Sequence, residues 1–303
     1  MPSLLDIKSR IKAVENIKKI TRAMQLVAAA KFNRAQNRAR SARPYSDELD
    51  TVLRALASFS GDLDADEALE LSFSAGEAPI MVEREKLFRQ AEVKRPGIIL
   101  VTADRGLCGA FNTRLIRSAL DFVQQHPEMD CRLITIGKKG HTYFQRRDIP
   151  IIYHEENISD KLILDEVRRI TAGLVRLYVE DEVDGLYIIY SQFKTAMQST
   201  IRVDKFLSIP PVAGQKEEDV YILEPDQEAV YETLIPLYAT TKIFATLADS
   251  FASEYGARMT AMASATSNAE DMLEEQILLR NRMRQATITR ELAEIVGGAA
   301  AQV

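Results

Sequence analysis

Residues Leu237–Val296 read LYATTKIFATLADSFASEYGARMTAMASATSNAEDMLEEQILLRNRMRQATITRELAEIV, with no proline and a single glycine, Gly256. Counted from Leu234 to Arg290 in alternating steps of three and four, 13 of 17 positions are apolar. A 3.5-residue period sustained over this length is typical of a coiled coil. We therefore predict a long coiled-coil helix that begins near residue 226, within a C-terminal segment 211–303.

The first sixty residues also lack helix breakers, since they contain no glycine and only the prolines Pro2 and Pro44. Ser3 and Asp6 have the spacing of a capping box, which predicts the helix start. The apolar residues of the first turns follow heptad steps, at Leu4, Ile7, Ile11 and Val14. The next apolar residues come one position earlier than these steps require, at Ile17, Ile20, Met24 and Val27. The original heptad phase returns at Ala28, Phe32 and Ala35. This shift predicts a wider apolar seam or a locally overwound coil.

Residues 1–60 and the C-terminal helix are predicted to pair with each other as an antiparallel two-helix coiled coil, because the mixed segment between them lets the chain turn back. Charge is divided unequally along the chain. Residues 1–43 carry eleven basic and two acidic side chains, whereas the whole chain has a formal net charge of −5. A strongly basic helix in an acidic protein favours an acidic partner. A solvated helix face is the alternative, and nucleic acid is disfavoured because Phe32 is the only aromatic residue in 1–43.

The middle of the chain, 96–210, alternates strand-like and helix-like patterns. Strands are predicted at 98–101, 132–136, 149–153, 186–190 and 201–209, and helices at 113–125 and from a Ser159 cap to about 183. This alternation predicts a central α/β domain with a mostly parallel sheet. Residues 61–95 are acid-rich and are interpreted as a partly ordered connection. The fold class is thus α/β plus long helices.

A glycine-containing segment, Thr102–Asn112, follows the first predicted strand of this domain and opens a helix. Such a position can bind phosphate, but the Gly106-x-x-Gly109 spacing is neither a dinucleotide fingerprint nor a P-loop. Cys108 between the glycines could be a nucleophile. The simpler interpretation is a tight turn with Cys108 packed as a small apolar side chain, because no histidine and aspartate pairing accompanies it.

Composition excludes several classes of protein. Two cysteines do not make a disulfide scaffold, and three scattered histidines argue against a zinc site. No apolar run approaches the roughly 18 residues of a membrane span. The residues Met1–Lys8 do not read as a signal peptide. We expect a reduced, intracellular protein without cofactor or metal.

Four segments of the chain resemble the gamma subunits of bacterial F-type ATP synthases, the central rotor stalk. They are Ile17–Lys31, Thr102–Asn112, Tyr255–Met262 and Arg284–Ala299, and the similarity extends over essentially the whole chain. The resemblance implies a non-catalytic shaft whose terminal helices turn inside a hexamer of three catalytic and three non-catalytic subunits. It implies that the α/β domain binds an epsilon-type subunit and rests on the membrane c-ring, whose proton-driven rotation is coupled to ATP synthesis.

The resemblance also implies roles for particular residues. Lys18, Lys19, Arg22 and Met24 would lie near an acidic loop of the catalytic subunits, and Arg284 and Gln285 would engage a catch loop. Tyr221 and Glu224 would face the c-ring, and Leu292–Val303 would turn in an apolar bearing. The expected location is the cytoplasmic face of the cell membrane, as a peripheral protein.

Two other functions stay open at this point. One is an α/β enzyme that uses the Gly106–Gly109 loop on a small phosphorylated ligand. The other is a coiled-coil adaptor whose basic helix binds nucleic acid or acidic lipid.

Overall fold

A computed structural model of the chain describes residues 3–58, 68–74, 78–88, 92–158, 162–209 and 224–300. Two very long helices bracket the fold: α1, Leu4–Ser58, and α6, Gln227–Ala300. The helix α1 begins at the predicted capping box, in which the Ser3 amide donates to Asp6 Oδ2 (3.0 Å) and the Asp6 amide donates to Ser3 Oγ (3.2 Å). These bonds lower the pKa of Asp6. Pro44 lies inside α1, which continues through it.

Between the long helices, the described residues form seven strands and four shorter helices. In chain order they are β1 (Ala68–Leu71), β2 (Ile80–Glu83), α2 (Arg84–Phe88), β3 (Pro96–Val101), α3 (Phe111–Gln125), β4 (Arg132–Ile136), α4 (Lys138–Phe144), β5 (Ile151–Glu155), α5 (Leu164–Val179), β6 (Gly185–Phe193) and β7 (Ser199–Leu207). Ser159, the expected cap of α5, lies outside the described residues. The strands β1 and β2 form a two-stranded antiparallel sheet within the segment interpreted as an acid-rich connection.

The main sheet has the order β5-β4-β3-β6-β7. The first four of these strands are parallel and β7 pairs antiparallel with β6, which confirms the predicted mostly parallel sheet. All six residues of β3 are buried, as expected for the central strand of a sheet covered on both faces.

The chain divides into two compact units, which are described separately. The terminal unit comprises residues 1–29 and 258–303, and the central unit comprises residues 30–257. In the central unit, one sheet face packs against α5 and parts of α1 and α6, through residues such as Ile99, Ile134 and Ile188. The other face packs against α3 and α4, through residues such as Leu100 and Phe111.

Within the central unit, α6 is not one side of a two-helix seam. Residues 246–256 are all buried, so this part of the helix is surrounded by other elements. Gly256 lies where the backbone of the β6–β7 turn comes close, since a Cβ at this position would sit 3.0 Å from the carbonyl oxygen of Ala196. Gly256, the single glycine between Leu237 and Val296, therefore makes room for that turn.

In the terminal unit, the two helices pack as an antiparallel pair, as predicted. Thr266 Oγ1 donates to Thr21 Oγ1 at 2.8 Å, and Lys18 Nζ lies 3.1 Å from Glu270 Oε1. The sum of the paired residue numbers stays nearly constant, which is the signature of antiparallel packing. None of the helices in the described parts of the chain has a segment with the hydropathy of a membrane span.

The predicted shift of the α1 seam is wrong. The strict heptad continues through half-buried polar residues, Lys18, Thr21 and Gln25, to buried Ala28. Two of these polar residues have partners on α6, the first in an ion pair and the second in a hydrogen bond, so the seam accepts them without a change of register. Ile17, Ile20 and Val27 lie outside the seam instead and are more than half exposed.

The register predicted for α6 is half right in the terminal unit. Met262 and Ala269 are buried in the seam as predicted. The positions predicted to alternate with them, 265 and 272, are displaced by one residue. Thr266 is buried in place of residue 265, and Met272 is 53% exposed.

Candidate partner-binding surfaces

The terminal unit carries an apolar stripe on the outside of α1. Ile17, Ile20, Met24 and Val27 recur at steps of three and four, so they share one face of the helix beside the seam. Met24 is half-buried, and the other three are exposed by 52, 58 and 57%, respectively. We call these four residues the α1 stripe. The apolar spacing of the sequence identified these residues, but the prediction placed them in the seam between α1 and α6.

Basic side chains of the predicted contact set occupy other faces of the same turns. Lys19 and Arg22 are exposed, and Arg22 Nη1 donates weakly to Gln25 Oε1 (3.4 Å) one turn later. Lys18 differs from them because it pairs with Glu270 across the seam. Since 39% of the Lys18 side chain and 52% of the Glu270 side chain stay exposed, the ion pair stabilises the unit only slightly.

The C-terminal part of α6 has a comparable exposed face. Arg284 and Gln285 are both exposed. Ile288, Leu292 and Ile295 follow them at helical spacing and are exposed by 48, 57 and 68%. We call these three apolar residues the α6 stripe. Helix geometry places it on the same face as the predicted catch-loop contacts.

The predicted c-ring residues are described only in part. Tyr221 lies outside the described residues. Glu224 is exposed just before the start of α6, where Asp226 caps the helix by accepting the Ala229 amide at 2.8 Å. Glu224 is thus available at the surface of the central unit.

The glycine-containing loop is fastened by its own side chains. Asn112 Oδ1 accepts the Ala103 amide at 2.9 Å, and its Nδ2 donates to Cys108 Sγ at 3.2 Å. The Asp104 carboxylate accepts two further hydrogen bonds of 3.1 Å, from the backbone amides of Lys138 and Asn157. These groups hold the carboxyl end of β3 to α4 and to the end of β5.

The thiols and imidazoles are not arranged for nucleophilic chemistry. Cys108 is 2% exposed and packs in the apolar cluster under α3, and its sulfur lies near the Asn112 amide and a backbone carbonyl. His141 and His154 stack on each other near Thr135, and His126 contacts a carbonyl oxygen on α3. Among the described residues, no three histidine, cysteine, aspartate or glutamate side chains gather as a metal site.

Comparison with known proteins gives one consistent family. Residues 3–302 match the family described as ATP synthase. The ATP synthase gamma chain of Symbiobacterium thermophilum is 40% identical over 296 residues, covering 97% of this chain and 96% of that one. The ATP synthase gamma chain of Desulfitobacterium hafniense is 38% identical over 301 residues, covering 99% of both.

Two solved structures share the fold. One is a chain of the Euglena gracilis mitochondrial ATP synthase (OSCP/F1/c-ring), with a TM-score of 0.66, 17% identity and coverage of 99% of this chain and 94% of that one. The other is a chain of the Tetrahymena thermophila mitochondrial ATP synthase (central stalk/c-ring), with a TM-score of 0.59, 20% identity and coverage of 81% and 99%.

The matches to the bacterial gamma chains extend over nearly the full length of both partners, and they agree with the paired long helices and the α/β layer. They decide against the enzyme and adaptor alternatives. The chain therefore belongs to the family of ATP synthase gamma chains, the non-catalytic rotor subunits of the central stalk of the F-type ATP synthase.

Proposed function

We propose that the terminal unit of this rotor subunit turns inside a hexamer of three catalytic and three non-catalytic subunits. The central unit would bind the epsilon-type subunit and the c-ring, at the cytoplasmic face of the cell membrane. Proton flow through the ring would then drive the subunit, whose asymmetric surface takes each catalytic subunit through its conformations in turn.

The observation that carries this proposal is the exposed apolar surface of the terminal unit. The α1 stripe and the α6 stripe leave six large apolar side chains about half exposed or more. In a helix pair that functions alone, burying these six side chains in the seam would stabilise the pair, so their exposure indicates that another protein surface covers them. A surrounding sleeve of other subunits would remove them from water.

The exposed basic side chains of α1 suggest which groups the surrounding subunits place opposite them. Lys19 and Arg22 are exposed on other faces of the turns that carry the α1 stripe, and Met24 belongs to that stripe. Partner groups that place carboxylates opposite the two cations, with a separate apolar residue against Met24, would complement these faces of α1. Lys18 would contribute less, because Glu270 already competes for its charge.

At the other helix, Arg284 and Gln285 would hold a catch loop of one catalytic subunit. Both are exposed and can donate hydrogen bonds to a loop with acidic or carbonyl groups. The apolar residues that follow, through the segment 292–303, would turn in an apolar bearing. Glu224, with Tyr221, would face the c-ring.

A double substitution tests the catch-loop contact. In the assembled enzyme in membrane vesicles, Arg284→Ala with Gln285→Ala should lower proton-driven ATP synthesis by about tenfold, the effect of losing about 1.4 kcal/mol of coupling contact. The matched control is Arg282→Ala with Thr289→Ala, which removes exposed side chains from another face of α6.

Assembly is measured in the same preparations by co-purification of the other ATPase subunits. Normal synthesis in the first double variant, or an equal loss in the control, would contradict the assigned contact.

A further inference from the structure

The helix α4 and the turn after it carry an unusual concentration of positive charge. Lys138, Lys139, Arg146 and Arg147 are all exposed, and none of the four forms an ion pair with another described residue. Asp148 is the only acidic residue between positions 138 and 150. We call these four cations the α4 basic face. It contrasts with the net charge of −5 of the whole chain.

A groove runs beside this face, between α4 and β5. It has a volume of about 410 Å³. Phe144, Ile149 and Ile151 supply apolar lining, while His141 and Arg147 supply polar lining. Arg147 is held in place because its guanidinium lies 4.4 Å from the centre of the Tyr143 ring. The groove therefore combines an apolar floor with a positioned cation.

The strand β5 that borders the groove is an edge strand. It is the outermost strand of the main sheet, and on its far side no other described strand pairs with it. All five of its residues are only half-buried. An edge strand offers unpaired backbone amides and carbonyls, which an extended peptide can pair with.

We propose that the β5 edge and the α4 basic face bind an extended, acidic segment of a partner protein. The segment adds to β5 as a further strand, places an apolar side chain in the groove and sets carboxylates against Arg147, which lines the groove, and its neighbour Arg146. A nucleic acid or a lipid surface fits less well, because neither has amides to pair with the strand. This surface is distinct from the stripes of the terminal unit, and the proposal does not depend on the contacts assigned to them.

The test uses the full-length chain and a labelled peptide of alternating glutamate and valine, whose roughly seven residues match an ordinary strand. Binding is followed by fluorescence anisotropy at low salt. Arg146→Glu with Arg147→Glu should weaken binding by about tenfold or more, because two charge contacts become repulsive. The matched control, Arg117→Glu with Arg176→Glu, makes the same change of charge at exposed positions of α3 and α5 and should alter the affinity by less than about twofold.

Two further measurements separate strand addition from attraction to any basic surface. Methylating alternate peptide nitrogens, which keeps the charge and removes amide donors, should abolish binding. Peptide binding should also slow hydrogen exchange in residues 149–156. Equal losses in the two double variants, or full binding by the methylated peptide, would overturn the proposal. Displacement of the peptide by DNA or by anionic vesicles, without protection of β5, would overturn it as well.

Discussion

The guanidinium of Arg43 joins α1 to α6 through the buried carboxylate of Asp249. Arg43 Nη2 donates to Asp249 Oδ1 at 2.7 Å and to Oδ2 at 2.9 Å, and also to the carbonyl oxygen of Phe193 at 2.8 Å. One side chain thereby connects both long helices to the end of β6 inside the central unit. Burial raises the pKa of Asp249 to about 6, while Arg43 acts in the opposite direction.

Replacing the arginine should therefore destabilise the central unit in a pH-dependent way. Arg43→Leu leaves a buried carboxylate without its cation, which should cost about 2–3 kcal/mol near neutral pH. The folded-state pKa of Asp249 already exceeds its unfolded value, so the folded state binds the proton more tightly. The stability that protonated Asp249 contributes to the folded state is present at low pH and is lost as pH rises through about 6.

Urea unfolding at pH 5 and pH 7.5 measures this effect. The penalty of Arg43→Leu should be larger at the higher pH. Adding Asp249→Leu to Arg43→Leu should restore much of the lost stability, because no buried charge then remains. An equal penalty at both pH values would argue that the arginine acts through packing alone.

The seam of the terminal unit can be tested by cross-linking. Thr21 and Thr266 have their hydroxyl oxygens 2.8 Å apart, so Thr21→Cys with Thr266→Cys should form a disulfide on mild oxidation. Ile20→Cys with Thr266→Cys is the control, because Ile20 points away from the seam and is 58% exposed. The native Cys108 and Cys131 are both buried and can be replaced by alanine in the background. Linkage is read from mobility on non-reducing gels, and equal linkage in both pairs would mean that the seam assignment is wrong.

The turn after β4 depends on a glycine. Gly137 has φ +101°, and a Cβ there would lie 2.1 Å from the carbonyl oxygen of Thr102. Gly137→Ala should destabilise the central unit by about 3 kcal/mol or more, from backbone strain and displacement of β3. Gly106→Ala is the matched control, since its Cβ would meet only the flexible Lys139 side chain at 3.8 Å and should change stability by less than about 1 kcal/mol. Thermal unfolding distinguishes the two, and equal losses would contradict the geometry.

The stacked imidazoles of His141 and His154 should make the stability of the central unit decrease in mild acid. His141 and His154 have ring centres 3.6 Å apart, and the Thr135 hydroxyl lies near the Nδ1 atoms of both. The pKa of His141 is lowered by burial first and by the neighbouring imidazole second, while Glu156 opposes the shift. The unfolded chain therefore takes up the proton first as pH falls below about 6.5, so stability should decrease there.

The substitution His141→Phe should reduce that decrease, because it keeps the stack and removes one titrating group. The midpoint of thermal unfolding at pH 5.5 and pH 7.5 measures the change. His126→Phe serves as the control, because His126 lies outside the stack. An unchanged pH dependence in the His141 variant would mean that other groups cause it.

Local pattern was sufficient to predict most of the architecture. The absence of helix breakers and the long apolar period predict α1 and α6, and the Ser3 and Asp6 capping box places the start of α1. Strands such as 132–136 were predictable because a buried parallel strand is a short run of apolar residues bounded by turns. The Thr102–Asn112 loop was correctly interpreted as a tight turn, since its spacing fits no phosphate motif.

The seam, by contrast, could not be read from apolar period alone. Ile17, Ile20 and Val27 are as apolar as seam residues, yet they face outward, while Lys18 and Thr21 face inward with partners on α6. Apolar periodicity reports which residues are to be kept from water, whether by this chain or by another subunit. Which of the two covers a given side chain depends on the partner helix, and that pairing exists only once residues more than two hundred positions apart lie side by side.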